Sequence, residues 1–307
     1  MLRTSRSMPV FLPSLLLTLM LFALGACAHK QVTTDNPAAE GVLLVAFGTS
    51  VPEAMESMHA VDAAFKAAFP NEPVVWAYTS QIIRKKIAEQ GRPVGGISEG
   101  LAKLAAQGVR VVRVQSLHVM AGQEFSALER AVLLDVKKHP DRFEAVFLGR
   151  PMLESREDAN ALAQAVLADV RPMRARGEAL VLMGHGQEHG RAGLTLEGAR
   201  TVFKDADRNV FMATVEGARG FEELLAELKA SRVKKVILEP LMLVAGDHAR
   251  NDLAGEEEDS WASQLVKAGI TTRANLKGLG QIPGACDILI RHAKESTDDL
   301  TKEPRKQ

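Results

Sequence analysis

From residue 41 onward, short apolar runs alternate with longer stretches in which apolar residues recur at helical spacing. The run GVLLVAF at 41–47 has no polar face, which marks a strand buried on both sides of a parallel sheet. Pro52 then opens a helix that the spacing carries to about residue 69. Further strands are predicted over 73–78, 109–116 and 143–148. Helices are predicted over 80–90 and 98–107, parted by the breaker GRPVGG at 91–96, and over about 125–138 and 155–170. The pattern then restarts. Strands are predicted over 179–183, 208–213, 233–239 and 271–276, and helices over about 190–205, 221–229, 259–267 and 283–294. Strands alternating with helices predict an α/β protein whose parallel sheets are built from right-handed crossovers.

The restart is a repeat. VVRVQSLHVMAGQEF at 111–125 aligns without gaps on KVILEPLMLVAGDHA at 235–249, which sets Glu124 on His248. LLVAFGTS at 43–50 matches VLMGHGQ at 181–187, with Phe47 on His185 and Gly48 on Gly186. VVWAYTS at 74–80 matches VFMATVE at 210–216, with Thr79 set on Thr214 and Gln81 beside Glu216. The expected fold is therefore two similar Rossmann-like domains, at 41–172 and 173–295, with parallel sheets flanked by helices and a cleft between them. Residues 296–307 are charged and read as a frayed tail.

The first forty residues do not fit this pattern. Arg3 and Arg6 precede an apolar run, and small residues follow it, so 1–28 reads as a secretory signal peptide. Ala26-Cys27-Ala28 fits ordinary signal cleavage. Leu24-Gly25-Ala26-Cys27 equally resembles a bacterial lipobox, with lipid on Cys27. Either way the expected location is periplasmic. Residues 29–40 are polar and small and read as a linker.

Composition narrows the partners. The chain has 307 residues, 46% of them hydrophobic, enough to bury a core. Its 38 basic residues balance 38 acidic ones, so nothing supports a nucleic-acid binder acting through bulk charge. Cys27 and Cys286 cannot build a disulfide framework, and Cys286 is expected to be a buried structural thiol.

Three side chains carry the candidate chemistry. His185 ends the first strand of the second repeat, Glu216 lies just past its second strand, and His248 follows its third strand. Loops at the carboxyl ends of parallel strands gather on one edge, where ligands bind. Alone, a histidine in a glycine-rich loop is ordinarily a hydrogen-bonding loop residue; joint placement at three strand ends is what singles these out. Two imidazoles and a carboxylate suit a divalent transition metal and leave positions open for another ligand. The first repeat has Phe47, Gln81 and Glu124 at or near the matching places, so the set belongs to one copy. His118 and Glu124 lie on the same side of the expected cleft. His189 is near His185, with a surface position an equal reading; the run Glu256-Glu257-Glu258-Asp259 and Arg84-Lys85-Lys86 read as solvated surface. No nucleophile elbow, Walker loop or dinucleotide fingerprint stands at a strand–helix junction.

LLVAFGTS (43–50), SLHVMAGQEF (116–125), MGHG (183–186), ATVEG (213–217) and EPLMLVAGDHARNDLAG (239–255) together resemble the anaerobic-type sirohydrochlorin cobaltochelatases, relatives of the class II chelatases. The resemblance runs over roughly 41–295. It implies two Rossmann-like halves, a tetrapyrrole in the cleft and no need for ATP. It implies that His185, Glu216 and His248 hold the metal, with His185 as the proton acceptor; by its chemistry Glu216 can take a proton as well. Co(II), or else Fe(II), is then a substrate, and no resident cofactor is required. Expected partners are sirohydrochlorin and the metal ion; a membrane enters only through lipid on Cys27, and a homo-oligomer is left open. Residues 1–40 depart from the cytoplasmic pattern and resemble the periplasmic chelatases of sulfate-reducing bacteria. A second reading is a periplasmic tetrapyrrole or haem binding and transport protein with residual chelatase activity.

Overall fold

The structure is a computed structural model, and it describes residues 39–187, 190, 192–217 and 219–302. The signal segment, most of the linker, His189 and the last five residues lie outside the described residues.

The first half runs β1 (Glu40–Ala46), α1 (Met55–Ala68), β2 (Val74–Tyr78), α2 (Gln81–Glu89), α3 (Ile97–Ala106), β3 (Val111–Ser116), α4 (Gln123–Lys138), β4 (Ala145–Gly149) and α5 (Arg156–Val170). The second runs β5 (Ala179–Gly186), α6 (Ala192–Ala206), β6 (Val210–Glu216), α7 (Phe221–Ala230), β7 (Lys235–Pro240), a π-helical turn (Ala249–Leu253), α8 (Trp261–Lys267), β8 (Thr271–Ala274), a 3-10 turn (Leu279–Gln281) and α9 (Pro283–Glu295). Every strand pair is parallel. The sheets have the orders β2-β1-β3-β4 and β6-β5-β7-β8, one order used twice. The fold is α/β with two four-stranded parallel sheets, as the alternating pattern predicts.

Register tests the repeat residue by residue. Leu43 pairs with Val75 and Val114 in the first sheet, and Val181 pairs with Phe211 and Leu238 in the second. These are the partners that the ungapped alignments assign. One expected match moves: Tyr78, not Thr79, takes the place of Thr214. The strand ladders fix this offset, whereas the matching of two threonines does not.

Alternation along the strands divides the core. Val42, Leu44 and Ala46 of β1 and Leu180 and Leu182 of β5 face one shared cluster with side chains of α1, α5, α6 and α9. Leu43 and Val45 face α3 and α4, and Val181 and Met183 face the α7–α8 side. The halves are thus joined through a common apolar layer, and the described residues form one compact unit. The last helix of the second half returns to the first half. His292 Nε2 lies 3.0 Å from Asp158 Oδ1, Arg291 Nη2 lies 2.5 Å from the same oxygen, and Arg113 donates to Ala293 O at 3.1 Å. Asp158 also caps α5 by accepting from Ser155. Burial disfavours its charge, but hydrogen bonds from Ser155, Arg291 and His292 outweigh this and hold the carboxyl below its ordinary range.

Two boundary expectations are corrected. Glu40 is the first residue of β1, not linker, and its carboxylate pairs with Arg113 at 3.1 Å. Residues 296–302 are not frayed. Leu300 N donates to Val146 O at 2.8 Å, and Val146 N to Asp299 Oδ1 at 3.2 Å, so the segment at Asp299 and Leu300 lies antiparallel on the edge of β4. An open strand edge offers unpaired backbone groups, and charged residues are able to meet them. Among the described residues no helix is long and apolar enough to cross a membrane.

The repeat also locates a strained charge. Gln115 on β3 and Glu239 on β7 hold equivalent buried positions. Gln115 hooks the segment after β4 by donating to Arg150 O at 2.8 Å, while Glu239 accepts from Asn275, which follows β8, at 2.5 Å. Burial pushes the Glu239 carboxyl up to about 7, helped by nearby Asp169. A folded pKa above the unfolded one gives a contribution fully present below about pH 4.5 and lost as pH rises through about 7. Glu239→Gln, which copies the first half, should therefore raise stability at pH 8 by an amount on the order of 1–3 kcal/mol and leave it unchanged at pH 4. Urea denaturation at the two pH values checks this; equal effects at both would refute it.

Candidate metal centre

The centre is built on the last rung of β5 and β6. Gly186 pairs with Glu216 and has φ +79°, a left-handed conformation that favours glycine. A Cβ there would stand 1.9 Å from Glu216 O and 2.6 Å from Thr214 Cβ. The two strands approach this closely only because residue 186 has no side chain, and His185 is left exposed at the carboxyl edge. His185 Nδ1 lies 3.2 Å from Gly186 O. A carbonyl only accepts, so in this contact Nδ1 carries the hydrogen and Nε2 keeps its lone pair.

His248 reaches the same edge by another route. The segment after β7 is held by Leu241 N donating to Met183 O at 2.7 Å and by Leu279 N donating to Met242 O at 2.8 Å. His248 then leads into the π-helical turn, a wide turn that recurs at functional sites. That turn sets Asp252 Oδ2 2.6 Å from His248 Nδ1. The carboxylate accepts a hydrogen bond from Nδ1–H and again leaves the Nε2 lone pair to bind. The two imidazoles meet with ring centroids 4.9 Å apart and planes at 86°.

Glu216 stands on this edge with an exposed side chain. Behind it Thr214 Oγ1 donates to Glu216 O at 2.7 Å, and Arg219 pairs with Glu197 at 2.9 Å. The structure brings His185 and His248 together but does not draw Glu216 in with them. Among the described residues no three His, Cys, Asp or Glu side chains are assembled to hold a metal. The arrangement is a pair of presented imidazole nitrogens with a carboxylate one strand away. Such nitrogen donors suit Co(II) and Fe(II) and leave most coordination positions to other ligands.

The remaining candidates sort clearly. His118 is turned inward: Nδ1 lies 2.9 Å from Ser116 Oγ, Nε2 is buried without a partner, and burial pushes the imidazole down to about 4. Glu124, in the first turn of α4, accepts from Thr79 Oγ1 at 3.2 Å and stays exposed. Its neighbour Gln123 donates from its backbone N to Gln187 Oε1 at 3.3 Å, so the carboxyl edges of the two sheets meet beside His185. Arg84 pairs with Glu99 at 3.3 Å and Glu258 with Lys267 at 3.0 Å, both as surface contacts. Cys286 is buried, donates to Gly280 O at 3.2 Å, and its thiol is pushed up to about 11 by burial and by Asp287. Asp252 was the residue that sequence reading missed. Its signal was an acid four places after a candidate histidine in GDHARND; the π turn that makes the contact has no such signature.

Asp252→Ala should weaken Co(II) binding by about 10–100-fold, the usual cost of removing a carboxylate behind a metal-bound imidazole. Asp252→Asn should recover part of the loss. Titration with Co(II) alone reads both variants, and an unchanged affinity in Asp252→Ala would remove the carboxylate from the site.

Comparison with known proteins follows the same line. The family described as "Cobalt chelatase (CbiK)" matches residues 40–298. The chain is 33% identical over 261 residues to the sirohydrochlorin cobaltochelatase CbiKC of Nitratidesulfovibrio vulgaris, covering 85% of this chain and 92% of that protein. It is 34% identical over 268 residues to the sirohydrochlorin cobaltochelatase of Salmonella typhimurium, covering 86% and 98%. Among solved structures, the sirohydrochlorin chelatase SirB of Bacillus subtilis subspecies spizizenii, in complex with cobalt, superimposes with a TM-score of 0.61 at 13% identity over 84% of this chain and 94% of that one. That likeness speaks to the fold. With a family match across nearly all the described residues and relatives matched along most of both chains, this chain belongs to the CbiK cobalt chelatase family.

Proposed function

We propose that this chain is a sirohydrochlorin cobaltochelatase that inserts Co(II), with Fe(II) as the other candidate metal, without ATP. The observation that carries the reading is the imidazole pair of His185 and His248, with ring centroids 4.9 Å apart and each anchored through Nδ1, which leaves the Nε2 lone pairs for a metal. Insertion exchanges one divalent ion for two pyrrole protons. The ring must bend so that its nitrogens meet the ion, and the ion must shed ligands as it gains them. Two imidazoles hold such an ion without thiolates that would trap it. His185, whose anchor is a carbonyl, and the exposed Glu216 are the groups that receive the protons; imidazole suits proton exchange near neutral pH. Nothing in this exchange needs phosphate transfer. Binding of the substrate's remote carboxylates supplies the work of positioning and bending the ring.

The reading places the enzyme in the periplasm, exported through residues 1–28, with Cys27 either cleaved off or lipidated. That location favours a role in metal or tetrapyrrole handling outside the cytoplasm.

Two experiments test the proposal. Metallation of sirohydrochlorin by Co(II), followed by absorbance, should proceed with the wild-type chain and fall by at least about 100-fold in His185→Ala. Near-normal turnover of that variant at saturating metal would remove His185 from the chemistry. Fractionation of cells expressing the full chain in a Gram-negative host should find it outside the cytoplasm, and deletion of residues 1–28 should retain it inside. Equal retention of both forms would defeat the export reading.

A further inference from the structure

At the metal edge, the side chain of Gln187 crosses from the second half to the first. Gln187 follows the Gly186–Glu216 rung directly and lies two places after His185. Its Oε1 accepts from Gln123 N, 3.3 Å away in the other half. Gln123 is the first residue of α4, and the cap before it is Gly122, which has no side chain to satisfy the opening N–H groups. A helix begins with backbone donors that lack partners within it, at the positive end of its dipole. Gln187 therefore caps α4 from across the repeat.

Glycines of three segments leave room for this residue. A Cβ on Gly122 would stand 2.6 Å from Gln187 Oε1, and one on Gly190 2.7 Å from its Nε2. A Cβ on Gly217, the residue after Glu216, would stand 2.9 Å from Gln187 O. Gln187 is thus packed at once against the segment after β5, the segment after Glu216 and the start of α4. The repeat shows that the reach is particular to this half. The alignment that sets Gly48 on Gly186 sets Thr49 on Gln187. Thr49 is buried and bonds locally, its Oγ1 accepting from Val51 N at 3.1 Å.

We propose that Gln187 is a positioning residue for the macrocycle: it fixes the start of α4 against the strand end that carries His185, and so sets the span on which the ring is seated. The assignment rests on the chelatase reading given above. Both imidazoles belong to the second half, and their anchors are Gly186 O and Asp252. Metal binding is then independent of the clasp. A macrocycle wider than the imidazole pair extends past those donors to the adjoining edge, and its fit depends on where α4 begins. A site already held in its bound shape spends less on ordering when the ligand arrives.

Gln187→Met keeps the length of the side chain and removes its strong acceptor. In the full chain it should raise the Kd for metal-free sirohydrochlorin, read by absorbance, and the KM for metallation about tenfold, while Co(II) affinity and kcat stay within about twofold. Gly122→Ala leaves Gln187 itself unchanged but displaces its amide, and should give the same split. Because both changes break one contact, the double variant should be no worse than either single one. Wild-type KM in both single variants, a fall in Tm with no change in KM, equal losses of ring and metal binding, or additive losses in the double variant overturns the assignment and leaves the chelatase reading in place. A wild-type chain that does not metallate sirohydrochlorin overturns both.

Discussion

The close approach of β5 and β6 at their last rung is the constraint on which the site depends. Sheet pairing runs to Gly186 and Glu216 because residue 186 has no Cβ; any side chain there would overlap a carbonyl oxygen. The overlap is with backbone, so no rotamer change relieves it. Pairing to the very end of the strand makes His185 part of the sheet, not part of a mobile loop. The opposing imidazole then needs only one more fixed point, and the turn after β7 provides it through Asp252. The centre is thus a product of backbone geometry first and of donor atoms second.

Duplication explains how such a site arises cheaply. Two copies of one strand order share an apolar layer, and their carboxyl edges meet at Gln123 and Gln187. Equivalent positions then diverge without disturbing the frame. Phe47 and His185, Gln115 and Glu239, and Glu124 and His248 are three such pairs. In the first two pairs the backbone place is common while the side-chain chemistry differs; in the third, Glu124 lies in the first turn of α4 whereas His248 precedes a π-helical turn. The buried Glu239 shows that divergence is not always favourable to stability: it places an acid where the other copy has an amide.

Much of this was legible in the sequence because it follows from periodicity. Buried parallel strands are apolar runs whatever their partners, and the repeat fixes which residues share a rung. The two imidazoles could be placed on one edge by that logic alone. What escaped depends on contacts that leave no periodic trace. The π turn at Ala249–Leu253 brings Asp252 to His248 by a local change of hydrogen bonding. The return of α9 to Asp158 and the pairing of Leu300 with β4 join residues more than a hundred places apart. Thr79 was matched to Thr214 by identity, whereas the ladders match Tyr78. Glu216 was grouped with the histidines by strand-end position, which fixes a backbone place but not where an exposed side chain reaches.

The two anchors behind the imidazoles are unlike, and the difference bears on how a chelatase divides its labour. His248 donates its Nδ1–H hydrogen bond to a carboxylate and His185 donates its own to a carbonyl. A carboxylate partner strengthens an imidazole as a metal donor more than a neutral oxygen does. On the proposed function His248 is then the firmer ligand, and His185 the one that can release the ion and accept a proton as the ring nitrogens take over. Equal anchors would give two equal donors and no preferred order of ligand loss. An enzyme that must surrender its metal once per turnover gains from the asymmetry, because the ion is held by one side chain while the other exchanges.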